Sequence, residues 1–159
     1  VSVQDPQDRT APPTLTVVRT IGAPPDRVFE AWTDPALLRR WLAPGRLEVV
    51  EAAADPRVGG AYRVVVVDPM GNRHTTTGEY RELVPGERLV KTWVYEGPSH
   101  PAGRYPTLLT VDFRDTGAGT TELTIRQDRL LTEMDREGNR DGWRLCLDKL
   151  EALLAGDRG

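Results

Sequence analysis

The last third of the chain constrains the fold most. Thr121-Glu122-Leu123-Thr124-Ile125-Arg126 alternates polar and apolar residues and leads into the only long helical pattern in the sequence. There Trp143, Leu147, Leu150 and Leu154 recur at spacings of four, three and four, which sets them on one helix face. Apart from two short helical turns, everything earlier reads as strands. One long helix with a wide apolar face, served by many half-buried strands, specifies an α+β fold in which a sheet wraps around a helix. Such a pairing can leave a cavity between its two layers.

Upstream, residues 1–13 mix prolines and charges without periodicity and read as a flexible lead-in to a single domain spanning 14–156. The first strand is expected from Leu15 to Ile21. Pro24 and Pro25 open a short helix, with Asp26 near its positive end and Val28, Phe29 and Trp32 as its apolar face. Asp34-Pro35 supplies an N-cap and a first-turn proline for a second short helix carrying Leu37, Leu38 and Trp41.

Six further strands are expected at 46–54, 60–68, 74–83, 87–96, 105–115 and 120–130, separated by turns rich in Gly, Pro, Asp and Asn. Seven strands with short hairpins make an antiparallel meander. Alternation turns Leu109, Val111 and Phe113 inward in the sixth strand, and Leu123 and Ile125 in the seventh. With Arg63 outward, Tyr62, Val64 and Val66 face in. In the fifth strand, Leu89 to Tyr95, both faces carry apolar residues and Trp93 has no assigned side. The final helix starts between Thr132 and Gly142, and a glycine just before Trp143 is expected to allow close approach to the sheet.

Composition sets the outer limits. A chain of 159 residues with 38% hydrophobic and 28% charged residues can bury one core. No apolar run approaches the ~20 residues of a membrane span, so membrane insertion is not expected. A net charge of −3 with scattered basic residues argues against a nucleic-acid partner. The single Cys146 and a start without secretory character point to the cytoplasm. Only Lys91 and Lys149 are lysines among 21 Lys and Arg, which reads as coding bias rather than function.

A set of short motifs lies in order along this frame. It comprises Arg19-Thr20-Ile21-Gly22-Ala23-Pro24-Pro25, Val28-Phe29-Glu30-Ala31-Trp32, Asp34-Pro35 with Trp41, and Asp55-Pro56-Arg57-Val58-Gly59-Gly60. Gly78-Glu79-Tyr80, Pro85-Gly86-Glu87-Arg88-Leu89, Gly119-Thr120, and Gly142-Trp143 with Leu147 and Leu150 follow. Together, over about residues 14 to 155, they resemble the START-like (SRPBCC) superfamily. The nearest branch is the one named for activators of the 90-kDa heat-shock protein's ATPase, related to the polyketide cyclases. The resemblance implies a helix-grip fold, a curved seven-stranded antiparallel sheet around a long C-terminal helix, with an elongated apolar cavity between them. Its shared motifs are determinants of fold rather than of one chemistry.

Searched for chemistry, the residues offer little. Two histidines, His74 and His100, and one distant cysteine have no zinc-ligand spacing, so no metal site is expected. Cys146 beside the apolar helix face reads as a buried, inert thiol. Gly59-Gly60 sits in a hairpin rather than before a helix, so it makes room for a tight turn against the Trp41 helix and cradles no phosphate. Asp55 and Arg57 are a turn-stabilising pair. No cofactor is implied.

The leading expectation is binding of a small lipophilic molecule by Tyr62, Val64, Trp93, Leu109, Val111, Trp143 and Leu147. For Trp143 a place in the cavity wall stands beside plain core packing. An alternative is a cyclase, dehydratase or hydrolase type of enzyme in the same cavity, with His74, Glu79 or Tyr105 moving protons and Thr76 or His100 at the mouth. An inward Glu79 would suit proton transfer through desolvation. A chaperone-linked interaction module is the third reading. Against it stands the short lead-in, where the eukaryotic-type activators carry an additional N-terminal domain. An apolar edge strand leaves room for a homodimer.

Overall fold

The computed structural model of the protein describes residues 14–98, 106–130 and 132–158. The lead-in expected at 1–13 lies outside the described residues. β1 (Leu15–Ile21) is followed by α1 (Pro25–Thr33) and α2 (Pro35–Trp41). Then come β2 (Glu48–Ala54), β3 (Ala61–Val67), β4 (Arg73–Val84), β5 (Arg88–Glu96), β6 (Thr107–Asp115) and β7 (Thr121–Asp128), and the long helix α3 (Glu133–Arg158). The strands form one antiparallel sheet in the order β1-β7-β6-β5-β4-β3-β2. β1 therefore closes one edge beside the last strand, and α1 and α2 carry the chain across to the other edge. The expected strands all form, with ends within two residues of the sequence reading.

The local reasons are those of the residues. Asp34 caps α2 by accepting a hydrogen bond from the Ala36 amide at 2.9 Å, and Pro35 takes the first helical position. α3 opens with a reciprocal cap: Thr132 Oγ1 accepts from the Asp135 amide at 3.0 Å, and Asp135 Oδ2 accepts from the Thr132 amide at 3.2 Å. Two register shifts re-aim side chains. One lies between Val49 and Glu51, where Val50 is thrown outward; the other lies between Tyr80 and Glu82. On β4 the second shift puts His74, Thr76, Gly78 and Tyr80 on the inner face before it and Leu83 after it. The β5 face left open by the sequence resolves with Leu89, Lys91, Trp93 and Tyr95 inward.

Trp143, Leu147, Leu150 and Leu154 of α3 are buried against the sheet. The helix is held on both flanks. Arg19 of β1 reaches Asp148 at 2.8 Å and Glu151 at 2.7 Å, and Lys149 donates to the Leu47 carbonyl at 3.2 Å. Aromatic rings link the layers. Trp143 stacks on Trp32 of α1 at 5.5 Å and meets Trp93 of β5 at 5.1 Å, while Trp32 meets Trp41 edge-on at 4.9 Å.

Two glycine expectations need correction. A Cβ on Gly60 would collide with the Asp55 and Arg57 carbonyls of its own turn, so the crowding comes from the turn and not from the Trp41 helix. Around Gly142 a Cβ would meet nothing, so this glycine is not needed for close approach of helix and sheet. The expected Asp55–Arg57 pair forms at 2.8 Å.

Candidate functional site

Sheet and helix part over the first half of α3 and leave a half-open cavity of about 620 Å³. The core side chains Leu147, Leu150 and Leu154 fill the second half of the interface, whereas Gly138, Gly142 and Asn139 roof the cavity. Because Gly138 and Gly142 have no side chain, and a Cβ on either would point into open space, they leave room where other residues would fill it. Val64 and Val66 of β3, Leu42 and Leu47 before β2, and Leu130 give the wall its apolar stretches.

A polar band crosses this wall. Trp143 Nε1 donates to Gln127 Oε1 at 3.0 Å, Gln127 Nε2 donates to Thr107 Oγ1 at 2.9 Å, and Thr107 Oγ1 donates to the Trp93 carbonyl at 2.7 Å. Gln127 and Thr107 are buried, so these bonds satisfy groups that would otherwise be costly to remove from water. On the neighbouring strands His74 Nδ1 lies 2.8 Å from Tyr95 Oη, and His74 Nε2 lies 3.1 Å from Asp68 Oδ2. The hydrogen bond with His74, with further bonds from the Asn72 and Met70 amides, holds the Asp68 carboxyl down at about 2. Cys146, also on the cavity wall, has its thiol pushed up to about 12 by burial, with Lys149 opposing; it stays protonated and unreactive.

The expected site residues divide. Val64, Trp93 and Trp143 lie on the cavity wall, and His74 and Thr76 join them. Leu109, Val111 and Leu147 are buried core side chains beyond the cavity, as is Tyr62, whose hydroxyl donates to the Thr92 carbonyl at 2.5 Å. Glu79 faces the opposite side of the sheet, half exposed, with Arg81 at 3.4 Å. It alternates with Gly78 and Tyr80, so its desolvated role at the cavity is corrected. Tyr105 and His100 lie outside the described residues. Among the described residues no group of three His, Cys, Asp or Glu side chains could hold a metal, and no helix is long and apolar enough to cross a membrane.

Sequence reasoning missed Gln127 and Lys91, and counted Tyr95 only among the aromatic residues numerous enough to line a cavity. Gln127 continues the inward alternation of Leu123 and Ile125, a signal that was available. Lys91 is fully buried on the inner face, deeper than the cavity wall, and among the described residues its Nζ has no hydrogen-bond partner. Four rings surround it, with Tyr62 nearest at 4.1 Å and Trp93 at 5.5 Å. Burial drops its value to about 7. Burial likewise raises Tyr62 well above the phenol range, with Tyr80 adding to it, and lifts Tyr80 to about 12, with the Asp55 charge adding.

Solved structures share this architecture. Protein CV1439 of Chromobacterium violaceum is 32% identical with a TM-score of 0.79, covering 88% of this chain and 95% of its own. Protein NE0264 of Nitrosomonas europaea is 25% identical with a TM-score of 0.77, covering 91% and 96%. The AHSA1 protein of Silicibacter pomeroyi, 22% identical, superposes with a TM-score of 0.79 over 91% and 99% and likewise has the fold. No curated protein matches the chain. The family profile described as Activator of Hsp90 ATPase homolog 1-like protein matches residues 22–155, and the chain, with its helix-grip fold, belongs to that family.

Proposed function

We propose that the protein binds a small lipophilic molecule between its sheet and α3. The observation that carries this reading is the cavity itself. Its volume of about 620 Å³ falls within the roughly 300–1,000 Å³ of small-molecule sites, which combine apolar walls with a few placed polar groups. Val64, Val66, Trp93 and Trp143 supply the apolar surface, while Thr76, Tyr95 and Asn139 offer hydrogen-bonding groups to orient a ligand. A ligand that covers this wall removes apolar area from water, worth about 25 cal/mol per Å² before the cost of immobilising it. We place this activity in the cytoplasm, where the unpaired Cys146 stays reduced.

Native mass spectrometry of gently purified protein, with the denatured sample as control, tests the reading. A discrete added mass that disappears on denaturation is expected, and Gly142→Leu, which fills the roof of the cavity, lowers its occupancy. An unliganded mass, together with no change in tryptophan emission on titration with lipophilic probes, would remove the reading.

A further inference from the structure

Among the described residues Gln127 is the most deeply buried polar side chain on the cavity wall, at 1% exposure. Its amide is fixed at both ends. An indole N–H only donates, so the atom 3.0 Å from Trp143 Nε1 is Oε1, and Nε2 is the atom 2.9 Å from Thr107 Oγ1. The Thr107 hydroxyl gives its hydrogen to the Trp93 carbonyl at 2.7 Å, so towards Gln127 it accepts. Nε2 carries two hydrogens, and this network uses one of them. The second has no acceptor among the described residues, in an amide that borders the cavity. An unpaired N–H in a buried place is rarer than a carbonyl with a spare lone pair, so the group that suits this band is an acceptor.

The charges around the cavity set the rest of the ligand. Among the described residues no Lys or Arg lines it, and Asp135, the carboxylate on its wall, already accepts from the Thr132 amide at 3.2 Å. Both ring nitrogens of His74 are engaged, Nδ1 with Tyr95 and Nε2 with Asp68. Lys91 lies behind the wall, with the Trp93 ring 5.5 Å from its Nζ. An anionic ligand would leave water with no described cation to meet it and would have to take up a proton instead. A neutral carbonyl oxygen meets the same N–H without that cost.

Resting on the reading of the cavity as a lipophilic site, we propose that Gln127 determines its specificity, and that the ligand is a neutral lipophile whose carbonyl oxygen accepts the second Nε2 hydrogen. Ketones, aldehydes and esters belong to this class, and fatty-acid anions do not. Trp143 on α3 and Thr107 on β6 hold the amide in place before a ligand arrives, so little side-chain freedom is lost on binding. The rings of Trp93 and Trp143, 5.1 Å apart, offer the apolar body of the ligand its contact beside the amide.

Displacement of Nile red by three compounds of one skeleton tests the proposal: benzylacetone, a ketone; butylbenzene, which lacks the oxygen; and hydrocinnamate, the carboxylate. Benzylacetone is expected to bind about 100-fold more tightly than hydrocinnamate at neutral pH, because a carboxylate that ordinarily titrates near ~4.3 must first be protonated. The ratio of the benzylacetone to the butylbenzene dissociation constant is expected to rise about 3- to 10-fold in Gln127→Leu, the share of one hydrogen bond. Gln127→Glu keeps an oxygen for Trp143 and has at most one hydrogen, which Thr107 takes, so it gives the same rise without shortening or emptying the wall. An unchanged ratio in either variant overturns the role of Gln127, and hydrocinnamate as tight as benzylacetone in the wild type overturns the neutral class; the binding reading stands in both cases. Failure of Nile red and of all three compounds to bind overturns the proposal and also counts against the binding reading.

Discussion

Replacing Lys91 with methionine should make the protein more stable. An amine whose ordinary value is 10.5 is held at about 7 by burial. At about 1.4 kcal/mol for each factor of ten, this costs the folded state about 5 kcal/mol at neutral pH and below. Attraction between a protonated amine and the surrounding rings, nearest at 4.1 Å, offsets about 2 kcal/mol of that. Lys91→Met keeps the length and bulk of the side chain, so a gain of about 3–5 kcal/mol is expected. The sign with pH follows from the depressed value. Between about 7 and 10.5 the unfolded chain holds a proton that the folded chain lacks, so the wild type gains stability as pH rises through that window. Urea unfolding should show the wild type gaining about 2 kcal/mol from pH about 7 to about 9, with that component absent in Lys91→Met. Cys146, raised to about 12, drifts the opposite way above pH 9 and does so in both proteins. A variant no more stable than the wild type, or parallel pH curves for the two, would refute the reasoning: the amine would then be charged and paired in the folded state.

Gln127→Leu strands the Trp143 indole N–H that Gln127 accepts and should cost about 1–3 kcal/mol in urea unfolding. Gly142→Ala, whose added Cβ meets nothing, should stabilise by up to about 1 kcal/mol in a thermal melt, because alanine holds a helix better than glycine. Asp68, ordinarily at 3.8 and lowered to about 2, contributes stability that is present above about 4 and lost as pH falls towards 2. In acid titration followed by circular dichroism, Asp68→Asn should therefore lack that part of the acid-limb loss.

The frame was legible because most of the chain repeats one of two periods. Leu109, Val111 and Phe113, or Trp143, Leu147 and Leu150, state their faces by spacing alone. β5 was not legible. Its Leu89, Trp93 and Tyr95 share a face with Lys91, a residue that ordinarily marks the wet side, while Val90 and Val94 make the other face apolar too. The site was half legible for a related reason. Val64 and Trp143 follow from the pattern, but the cavity ends where Gly138 and Gly142 give way to Leu147, and an inward residue beyond that point is core. Glu79 had no assigned side, because a strand tells which residues alternate and not which set faces in when Thr and Gly dominate it. The Asp68–His74–Tyr95 chain joins a turn to two strands, and no sequence spacing encodes that meeting.

The unequal halves of α3 also bear on access to the cavity. The second half is anchored by Leu147, Leu150 and Leu154 and by the Arg19 and Lys149 clasps, whereas the first half spans a void and carries two glycines. A helix segment with few packed neighbours opens at lower free energy than the whole domain unfolds. Amide hydrogen exchange should accordingly divide near Gly142, with residues 133–142 exchanging through a local opening and residues 147–154 only through global unfolding. On the proposed binding reading, that opening would widen the way into the cavity, and fraying at the start of the helix would quicken the entry and exit of a ligand.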